Sequence, residues 1–462
     1  MDPSCVVPMG SVDQAAEELP SIFRPRRQVC VAAASSRGSA TGGNVIVAAI
    51  GPYHKHPSSE SSPPLITQNM KRDIVEFLVR LESGLDKAAF LAWAGGNVTD
   101  ARARGCYEAD DSLRRTCTCP MAGRDLADMH LYDGCLVLFA IFVFSVRKDP
   151  LPAELARTTN LGKEFINLSS VISYHMKETK LDLLLLGNQI PFFVLQRLHT
   201  QLKGTILFRD NNRTIEQLAL SCFDDIHPSP SRPTLPLSLP TVVHHLLHLF
   251  HSSRVGRGRH DSPPLLGEPE SKLDCATWYQ ESLIGFSTHA AAPGTLHMEF
   301  RRSMLGARGA LCVPPLQIHG YSALVFHNLI AFEQRYPRCG LGATTYCFCM
   351  ARLLQSEADV KLLRRSGILA HTHETDEEIV KLFKDLREEY RHASYSRDLI
   401  DLCKNVEAHE HSRVARAAKS VVLQCFPRQT MTFFVILGAI ISLATLVNTG
   451  YAVYRFYHPV KQ

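Results

Sequence analysis

The sequence predicts a mainly α-helical globular domain with long loops and few short strands, followed by one C-terminal transmembrane helix. Apolar residues recur three or four positions apart along most of the chain, which is the spacing of one helix face. Neither an alternating strand pattern nor a repeat of about 20 to 50 residues is present. The chain has 462 residues, 45% of them hydrophobic, and can therefore bury a large core. This composition excludes a disordered or fibrous class.

Charge and cysteine usage narrow the functional classes. Lys and Arg number 50 and Asp and Glu number 45, so the net charge is only +5, and this predicts no nucleic-acid partner. Residues 1–20 have neither a basic start nor an apolar run, so they do not resemble a secretory signal. The bulk of the chain is therefore expected in the cytosol. The 14 cysteines show no C-x-x-C spacing, which favours reduced thiols in that compartment.

The pattern divides the chain into four regions. In order they are a flexible N-terminal segment at 1–43, a cytosolic helical domain at 44–425, a transmembrane helix at 431–453 and a short tail at 454–462. Two long loops are predicted inside the domain. One lies near 226–240, where five prolines exclude regular structure, and the other near 254–272, which is rich in Gly, Pro and charge.

The first helices of the domain follow from apolar spacing. A helix face after residue 66 is made by Met70, Ile74, Phe77, Leu78, Leu81 and Leu85. Residues 134–146 are apolar, but a run of 13 residues between charged neighbours is too short for a membrane span. It therefore predicts a buried helix. A short strand or two is expected between residues 296 and 318.

The second half of the domain is also predicted to be helical. Another helix is marked by Val325, Leu329, Phe332 and Tyr336. Gly367 follows Leu362 and Leu363 as a helix end, and Thr375 with Glu378 has the spacing of a capping box. Residues 397–425 are expected to form a helix that leads to the membrane.

The run at residues 431–453 contains 23 residues without a charge. As a helix it would span about 34 Å, against a hydrocarbon core of about 30 Å. Basic residues are more frequent before it than after it: Arg413, Arg416, Lys419 and Arg428 precede it, and Arg455 and Lys461 follow. This bias places the N-terminal domain in the cytoplasm, as in a tail-anchored protein, and the plasma membrane is one candidate location. The alternative is a buried core helix, which would need further chain to cover it.

The stretch LLLLGNQIPFFVL at residues 183–195 combines a strongly apolar run with a polar break. Gly187 can end one helix and Pro191 can begin the next. Asn188 and Gln189 are then expected to hydrogen-bond the backbone groups left free at the break, while Phe192 fills the core. The sequence therefore predicts a buried helix–corner–helix. The alternative is a ligand pocket at the corner.

Common catalytic and nucleotide-binding motifs are absent from the sequence, so neither a cofactor nor a catalytic residue is predicted. His244 and His248 lie one helical turn apart, as two metal ligands would, but no Cys, Asp or Glu completes a site nearby, and an amphipathic helix without metal is the preferred interpretation. His54 and His56 offer a base or a ligand. The preceding Gly51-Pro52 more simply indicates a turn.

Several short segments together resemble one known family. In order they are IGPYHKH at 50–56, MKRDIVEFL, RGCYE at 104–108, LYDGCLVL at 131–138, GNQIPFFVL, VPPLQI at 313–318 and HNLIAFEQ at 327–334. They resemble the plant-specific family called domain of unknown function 247 over roughly residues 45–455. The residues that carry the resemblance, interpreted as structural, are Gly51, Pro52, Tyr53, His54, Asp133, Gly134, Cys135, Asn188, Gln189, Ile190, Pro191, Phe192, Pro314, Pro315, Asn328, Phe332 and Glu333.

The resemblance implies a membrane-anchored plant protein without an established reaction, and some relatives act in pollen-side recognition in grass self-incompatibility. Members typically carry an acid before the Asn-Gln-Ile-Pro motif, where this chain has Gly187. Two hypotheses follow. The leading one is a protein-interaction or recognition module that binds an unknown protein partner. Self-incompatibility and signalling are the processes in which such a module could act. The other is a hydrolytic or metal-using enzyme of unfamiliar type, which requires His54, Asp133 and Glu333 to converge in one open cleft.

Overall fold

The computed structural model describes residues 46–52, 63–81, 87–97, 106, 123–146, 152, 155, 159–208, 213–228, 240, 242–255, 265–266, 273–288, 296–304, 306–370, 372–425 and 428–457. Within these residues the fold is mainly helical, with one three-stranded and one two-stranded sheet. The predicted fold class is confirmed at this level. The predicted flexible segment at 1–43 lies outside the described residues.

The first half of the domain packs around one long apolar helix. Its helices are α1 (Gln68–Arg80), α2 (Lys87–Asn97), α3 (Gly123–Val146), α4 (Asn160–Tyr174), α5 (Met176–Asp182), α6 (Phe192–Leu202), α7 (Ile215–Cys222) and α8 (Leu246–Arg254). Helix α3 contacts α1, α2, α4, α6 and α7. A helix enclosed by others must be apolar on all sides, which explains why residues 135–144 of α3 are all buried.

Helix α3 also settles the interpretation of the apolar run at 134–146. Its Asp125–Ser145 part has the length and composition of a membrane span, with a mean hydropathy of 1.7, yet 89% of its most apolar window is buried inside the protein. It is the core helix of the domain, as predicted. Helix α1 confirms the predicted face up to Leu78, because Ile74, Phe77 and Leu78 are buried and Thr67 caps its N-terminus. The helix ends at Arg80 with Leu81 as its C-cap, and Leu85 lies outside the described residues.

A small mixed sheet follows the first helices. Its strands are β2 (Ile284–Ser287), β3 (Glu299–Arg302) and β4 (Gly309–Cys312), in the order β2-β4-β3. Strand β4 is parallel to β2 and antiparallel to β3, with Ile284 opposite Gly309 and Phe300 opposite Leu311. The strands predicted between 296 and 318 are therefore present. A two-residue strand β1 (Leu265–Leu266) pairs with β5 (Ser394–Tyr395).

The second half is a group of shorter helices beside this sheet. They are α9 (Ala276–Glu281), α10 (Ser322–Arg335), α11 (Gly342–Leu353), α12 (Glu357–Arg365), α13 (Asp376–Glu389) and α14 (Arg397–Glu410). Helix α11 packs on α10 and α13, and α8 contacts both α7 and α10. Helix α8 therefore joins the two halves into one continuous core. The predicted capping box at Thr375 and Glu378 is confirmed.

The chain ends in two helices, α15 (Arg413–Cys425) and α16 (Arg428–Tyr457). Where the side chains of α16 are described, Leu437–Tyr451 is an apolar helix and its residues are exposed. Those 15 residues would cover about 22 Å, less than a hydrocarbon core of about 30 Å, so the span at 431–453 stays a prediction.

Three expectations need correction. The loop predicted at 254–272 begins inside α8, which ends at Arg254, and contains β1, because residues 394–395 supply a partner strand that is remote in sequence. The single helix predicted at 397–425 is two helices, because the helical conformation is interrupted between Glu410 and Arg413. The helix expected to end at Gly187 instead ends at Asp182, and residues 183–191 form the corner. In the other predicted loop, 226–240, only residues 226–228 and 240 are described.

Candidate functional site

Asn188 is the centre of the corner between α5 and α6. Its side chain is buried, its Oδ1 accepts from the backbone N–H of Ile50, and its Nδ2 donates to the carbonyls of Ala48 (2.9 Å) and Asp182 (2.8 Å). The Asp182 carbonyl lies at the end of α5, where it also accepts from the Leu185 N–H at 3.2 Å. A single amide therefore ends one helix and holds an extended segment 140 residues away in sequence.

Gln189 does the same for the other side of the corner. Its Nε2 donates to the carbonyls of Leu183 and Leu185, each at 2.8 Å, and its Oε1 accepts from the N–H of Leu247 at 3.2 Å. Leu247 lies in the first turn of α8, where the backbone N–H has no partner in its own helix. The expectation that Asn188 and Gln189 satisfy free backbone groups at the break is confirmed.

The segment 46–51 is held by side chains from the helices and by backbone hydrogen bonds from Leu65 and Ile66 to the carbonyls of Ile46 and Val47. Asp182 accepts from the N–H groups of Val47 (2.8 Å) and Ala48 (3.1 Å). Asp133 accepts from the N–H of Gly51 at 2.8 Å and forms an ion pair with Lys71, whose ammonium also donates to the Ala49 carbonyl. Both partners of this pair are buried, so each needs the other to offset its desolvation.

Two glycines in the motifs permit close approach of the backbone. Gly51 has φ of +80°, a conformation that strains other residues, and a Cβ there would stand 3.0 Å from the Gln189 carbonyl oxygen. Gly134 faces α6, where a Cβ would lie 2.4 Å from the Leu198 Cδ1. The neighbouring Cys135 is fully buried, and burial raises the pKa of its thiol well above the usual value, so it is an inert core residue.

Glu333 forms a second buried polar centre, at the start of α11. Its side chain is fully buried and accepts from the N–H groups of Ala343 and Thr344, each at 2.8 Å, and from the Thr344 hydroxyl at 2.6 Å. His251 Nε2 lies 2.8 Å from the same carboxylate. The carboxylate therefore caps a helix N-terminus, where free N–H groups and the helix dipole favour negative charge.

Between these two centres lies a row of histidines. His244 precedes α8 and stacks on His248 at 4.9 Å between ring centroids, and His245 is the N-cap of the helix. Burial lowers the pKa of His244 to about 4 and that of His245 well below its usual value, so both are neutral. The row packs against Phe332, which is itself fully buried.

The interpretation of His244 and His248 as members of an amphipathic helix needs correction. His244 is outside the helix, and α8 is buried on nearly all sides because it lies between the two halves of the core. Within the described residues, no group of three or more His, Cys, Asp and Glu side chains is arranged to hold a metal ion.

Most of the remaining motif residues that the structure describes also pack inside the domain. Pro191 is buried and is the N-cap of α6, and the Phe192 N–H donates to the His244 carbonyl at 2.8 Å. Asn328 accepts from the Leu186 N–H at 2.7 Å and thereby ties α10 to the corner. Further buried positions are Pro52, Ile190 and Pro314, whereas Pro315 is exposed. Tyr53 and His54 lie outside the described residues.

The enzyme hypothesis requires Asp133 and Glu333 to meet in one open cleft, and the structure does not bring them together in this way. Asp133 is occupied by Gly51 and Lys71, and Glu333 by the start of α11 and by His251. Both carboxylates are buried, and they form hydrogen bonds with different segments of the chain. A general acid or base has to reach a substrate proton, and these carboxylates instead hold backbone N–H groups.

Sequence reasoning missed three buried polar residues. Lys71, Asp182 and Asp359 are each nearly inaccessible to solvent, and each bonds to backbone groups. Asp359 also completes a capping box with Ser356, a Ser-x-x-Asp spacing that the sequence does show. Lys71 stands within the apolar face of α1, and a charge in that position was the available signal that it has a buried partner.

The buried polar residues of the corner, of segment 46–51 and of the start of α11 lie in a part of the chain that is shared with other proteins. Residues 46–445 match a family described as plant protein of unknown function, DUF247. The chain belongs to this family. A UPF0481 protein of Arabidopsis thaliana is 24% identical over 364 residues, which is 74% of this chain and 68% of that protein. No solved structure matches the chain.

Membership of the DUF247 family confirms the resemblance deduced from the motifs, and the matched region contains all the motif residues. The geometry supplies a physical reason for those residues that the family description does not give. They make a corner, an anchored segment at 46–51 and a capped helix. The first two depend on hydrogen bonds between segments remote in sequence, and the third joins Glu333 to residues ten and eleven positions away.

Proposed function

We propose that this DUF247 protein is a single-pass, membrane-anchored interaction module, in which α16 enters the membrane and the helical domain binds another protein in the cytoplasm. The observation that carries the proposal is the C-terminal helix. Residues 437–451 are exposed in the structure and contain no charged side chain. Exposed apolar surface of that extent is stable in lipid rather than in water.

The polar chemistry of the domain supports binding rather than catalysis. Its motif carboxylates and amides are buried and committed to backbone groups, so they fix the shape of the domain. A domain held rigid in this way can present a constant outer surface to a partner, because binding then costs little ordering of the chain. We infer that the partner contacts side chains outside the motifs, which leaves them free to differ between relatives.

Membrane insertion is tested with the full chain carrying a tag at each end, expressed in microsomes. The expected result is resistance to alkaline extraction, an N-terminal tag open to added protease and a protected C-terminal tag. A matched chain that lacks residues 427–462 should be extractable and should keep the same thermal stability. A protected N-terminal tag, or extraction of the full chain, would contradict the proposal.

Partner binding is tested by cross-linking in native plant membranes, with the parent chain and the truncated chain compared. The proposal expects specific adducts through exposed surface residues and no turnover of hydrolysable substrates. A role in pollen-side recognition further requires the protein to be present in pollen, which immunoblotting of pollen against leaf membranes measures. Its absence from pollen would remove that role and leave the interaction module intact.

A further inference from the structure

An exposed basic hairpin projects from the small sheet next to the C-terminal helices. Where β3 is followed by β4, the Ser303 N–H donates to the Arg308 carbonyl at 2.9 Å, and Arg301, Arg302 and Arg308 are all exposed. Met304, at the turn, is fully exposed, with a relative accessibility of 105%. A large apolar side chain held out into water between arginines is costly unless another surface covers it.

The hairpin is fixed beside the last turns of α14. Arg302 donates to the Asn405 carbonyl at 3.3 Å, and the Phe300 ring lies 5.3 Å from the buried His409 ring. Helix α14 ends at Glu410 and α15 begins at Arg413, so the hairpin leaves the protein close to the start of α15.

Helix α15 presents a second basic face next to this point. Its inner side packs on the domain: Ala415 is buried, and Lys419 donates to the Ser282 hydroxyl at 3.0 Å and lies over the Trp278 ring. Helical geometry then turns Arg413 and Arg416 outward, where both are exposed. Helix α16 begins at Arg428, three positions after α15 ends.

Glu299 and Glu407 have basic neighbours, and burial raises the pKa of Glu410, at the end of α14, to about 7. Glu299 pairs with Arg301, and Glu407 lies 3.9 Å from the His411 Nε2. The exposed positive charge next to Met304 is that of Arg302 and Arg308, and that of α15 comes from Arg413 and Arg416. Basic side chains next to a membrane helix are attracted to anionic lipids, and an apolar side chain among them can enter the headgroup layer.

We propose that the basic surface formed by the β3–β4 hairpin and the outer side of α15 binds the headgroups of anionic phospholipids, with Met304 inserted between them. This inference rests on the proposed membrane insertion of α16, because that helix would bring the surface to the bilayer. Its consequence is that the domain lies in a fixed orientation against the membrane and exposes one constant side to its partner.

The test uses the full chain with Met304→Trp, reconstituted in vesicles of brominated phosphatidylcholine with or without phosphatidylserine. Bromine in the acyl chains quenches a tryptophan that enters the bilayer, and the parent chain, which has two tryptophans, gives the background. The expected result is extra quenching of the introduced tryptophan only with phosphatidylserine, roughly halved or more by 0.5 M salt because headgroup attraction is screened.

Charge reversal separates the surface from general insertion. Arg308→Glu with Arg413→Glu should abolish the phosphatidylserine-dependent quenching, whereas Lys381→Glu with Lys384→Glu, exposed on α13, should leave it unchanged. All variants should melt like the parent, since these side chains are on the surface. Alkaline extraction of the same vesicles reports separately on α16.

The outcomes distinguish the two proposals. A chain that resists extraction but whose introduced tryptophan is quenched equally with and without phosphatidylserine overturns the lipid surface and keeps the anchor. An extractable chain that is still quenched only with phosphatidylserine contradicts the anchor and supports the lipid surface. An extractable chain without that difference overturns both.

Discussion

The corner at residues 183–191 and the start of α11 solve the same problem with different chemistry. Both are places where helices end inside the core and leave backbone groups that water cannot reach. At the corner the partners are the neutral amides of Asn188 and Gln189, whereas at α11 the partner is the carboxylate of Glu333. An amide both donates and accepts, and a carboxylate only accepts.

The difference follows from which backbone groups are free. At the corner the carbonyls of Asp182, Leu183 and Leu185 accept from side chains, and the N–H groups of Ile50 and Leu247 donate to side chains, so only an amide can serve both kinds. The start of α11 offers N–H groups alone, so a carboxylate serves it better. A buried polar residue can therefore be fully explained by local backbone needs, without a substrate.

The largest expected effect tests whether the corner is a core element at all. Phe192→Ala removes a ring with no exposed surface and should lower the free energy of unfolding by about 3–5 kcal/mol through the cavity it leaves. Phe193→Ala is the matched control, because its ring is only partly buried against Arg197. Thermal or denaturant melts measure both. Equal losses for the two variants would mean that residue 192 is not in the packed core.

Asn188→Leu comes next, since it leaves the Ile50 N–H and the Ala48 carbonyl without partners and removes one of the two donors to the Asp182 carbonyl. We expect a loss of about 3 kcal/mol in the free energy of unfolding, because each unpaired buried group carries a desolvation cost. Partner binding should fall in parallel with stability. A variant that melts like the parent but no longer binds its partner would make the corner a recognition surface and our interpretation wrong.

The corner also shows what sequence can and cannot predict. The Asn-Gln pair between an apolar run and a proline indicated a break whose amides bond to backbone groups, and this is confirmed. Their partners at residues 48, 50 and 247 could not be predicted, because they come from segments placed there by the tertiary fold. The early end of α5 was missed for a related reason: residues 183–186 are apolar in any conformation, so periodicity does not show where the helix stops.

The same limit applies to Glu333. Its position on α10 follows from the helical spacing of Phe332 and its neighbours, but nothing local indicates that it caps α11. Sequence predicted the buried helix α3 and the helices with a clear apolar face, such as α1, α10 and α13, which depend on nearby residues. It did not predict α2, α4, α7, α9 or α11. It did not predict the cross-connections among segment 46–51, the corner and α8, which depend on contacts between remote ones.

Two substitutions exchange the buried groups, an amide for the Glu333 carboxylate and a carboxylate for the Gln189 amide. Glu333→Gln keeps the shape but replaces one acceptor oxygen by an NH₂ group, so that either the α11 N–H groups or His251 loses a partner, at about 2 kcal/mol. Gln189→Glu should cost a similar amount at neutral pH, because a carboxylate would face the Leu183 and Leu185 carbonyls. Chemical denaturation measures both. If either substitution leaves the free energy of unfolding unchanged, this assignment of donors and acceptors is contradicted.

The histidines between the two centres predict a pH dependence. Burial lowers the pKa of His244 to about 4 in the folded chain, whereas an unfolded histidine titrates near 6.5, so the unfolded chain binds more protons between these values. The stability contributed by neutral His244 is therefore complete above about pH 6.5 and is lost as the pH falls towards 4, by about 1 kcal/mol between pH 7 and 5.5.

His244→Gln should reduce the slope of stability against pH in that window, as measured by denaturant melts at several pH values. The exposed His392 supplies the control, and His392→Gln should leave the slope unchanged. A slope that is the same in both variants would mean that His244 titrates in the folded chain much as it does in the unfolded one.

The smallest expected effect concerns the contact between α3 and α6, which holds the corner against the central helix. Gly134→Ala places a Cβ 2.4 Å from the Leu198 Cδ1, an overlap that the flexible end of the leucine can partly relieve. Overpacking of this kind costs about 1–3 kcal/mol, and alanine regains about 1 kcal/mol of helix propensity, so a net loss of about 1 kcal/mol is expected.

Leu198→Ala alone should cost more, because the Leu198 side chain is fully buried. In that background, however, Gly134→Ala no longer meets the leucine and should become stabilising. A double-mutant cycle measured by chemical denaturation checks this reversal of sign. If Gly134→Ala destabilises both backgrounds equally, the glycine is required for a reason other than its contact with Leu198.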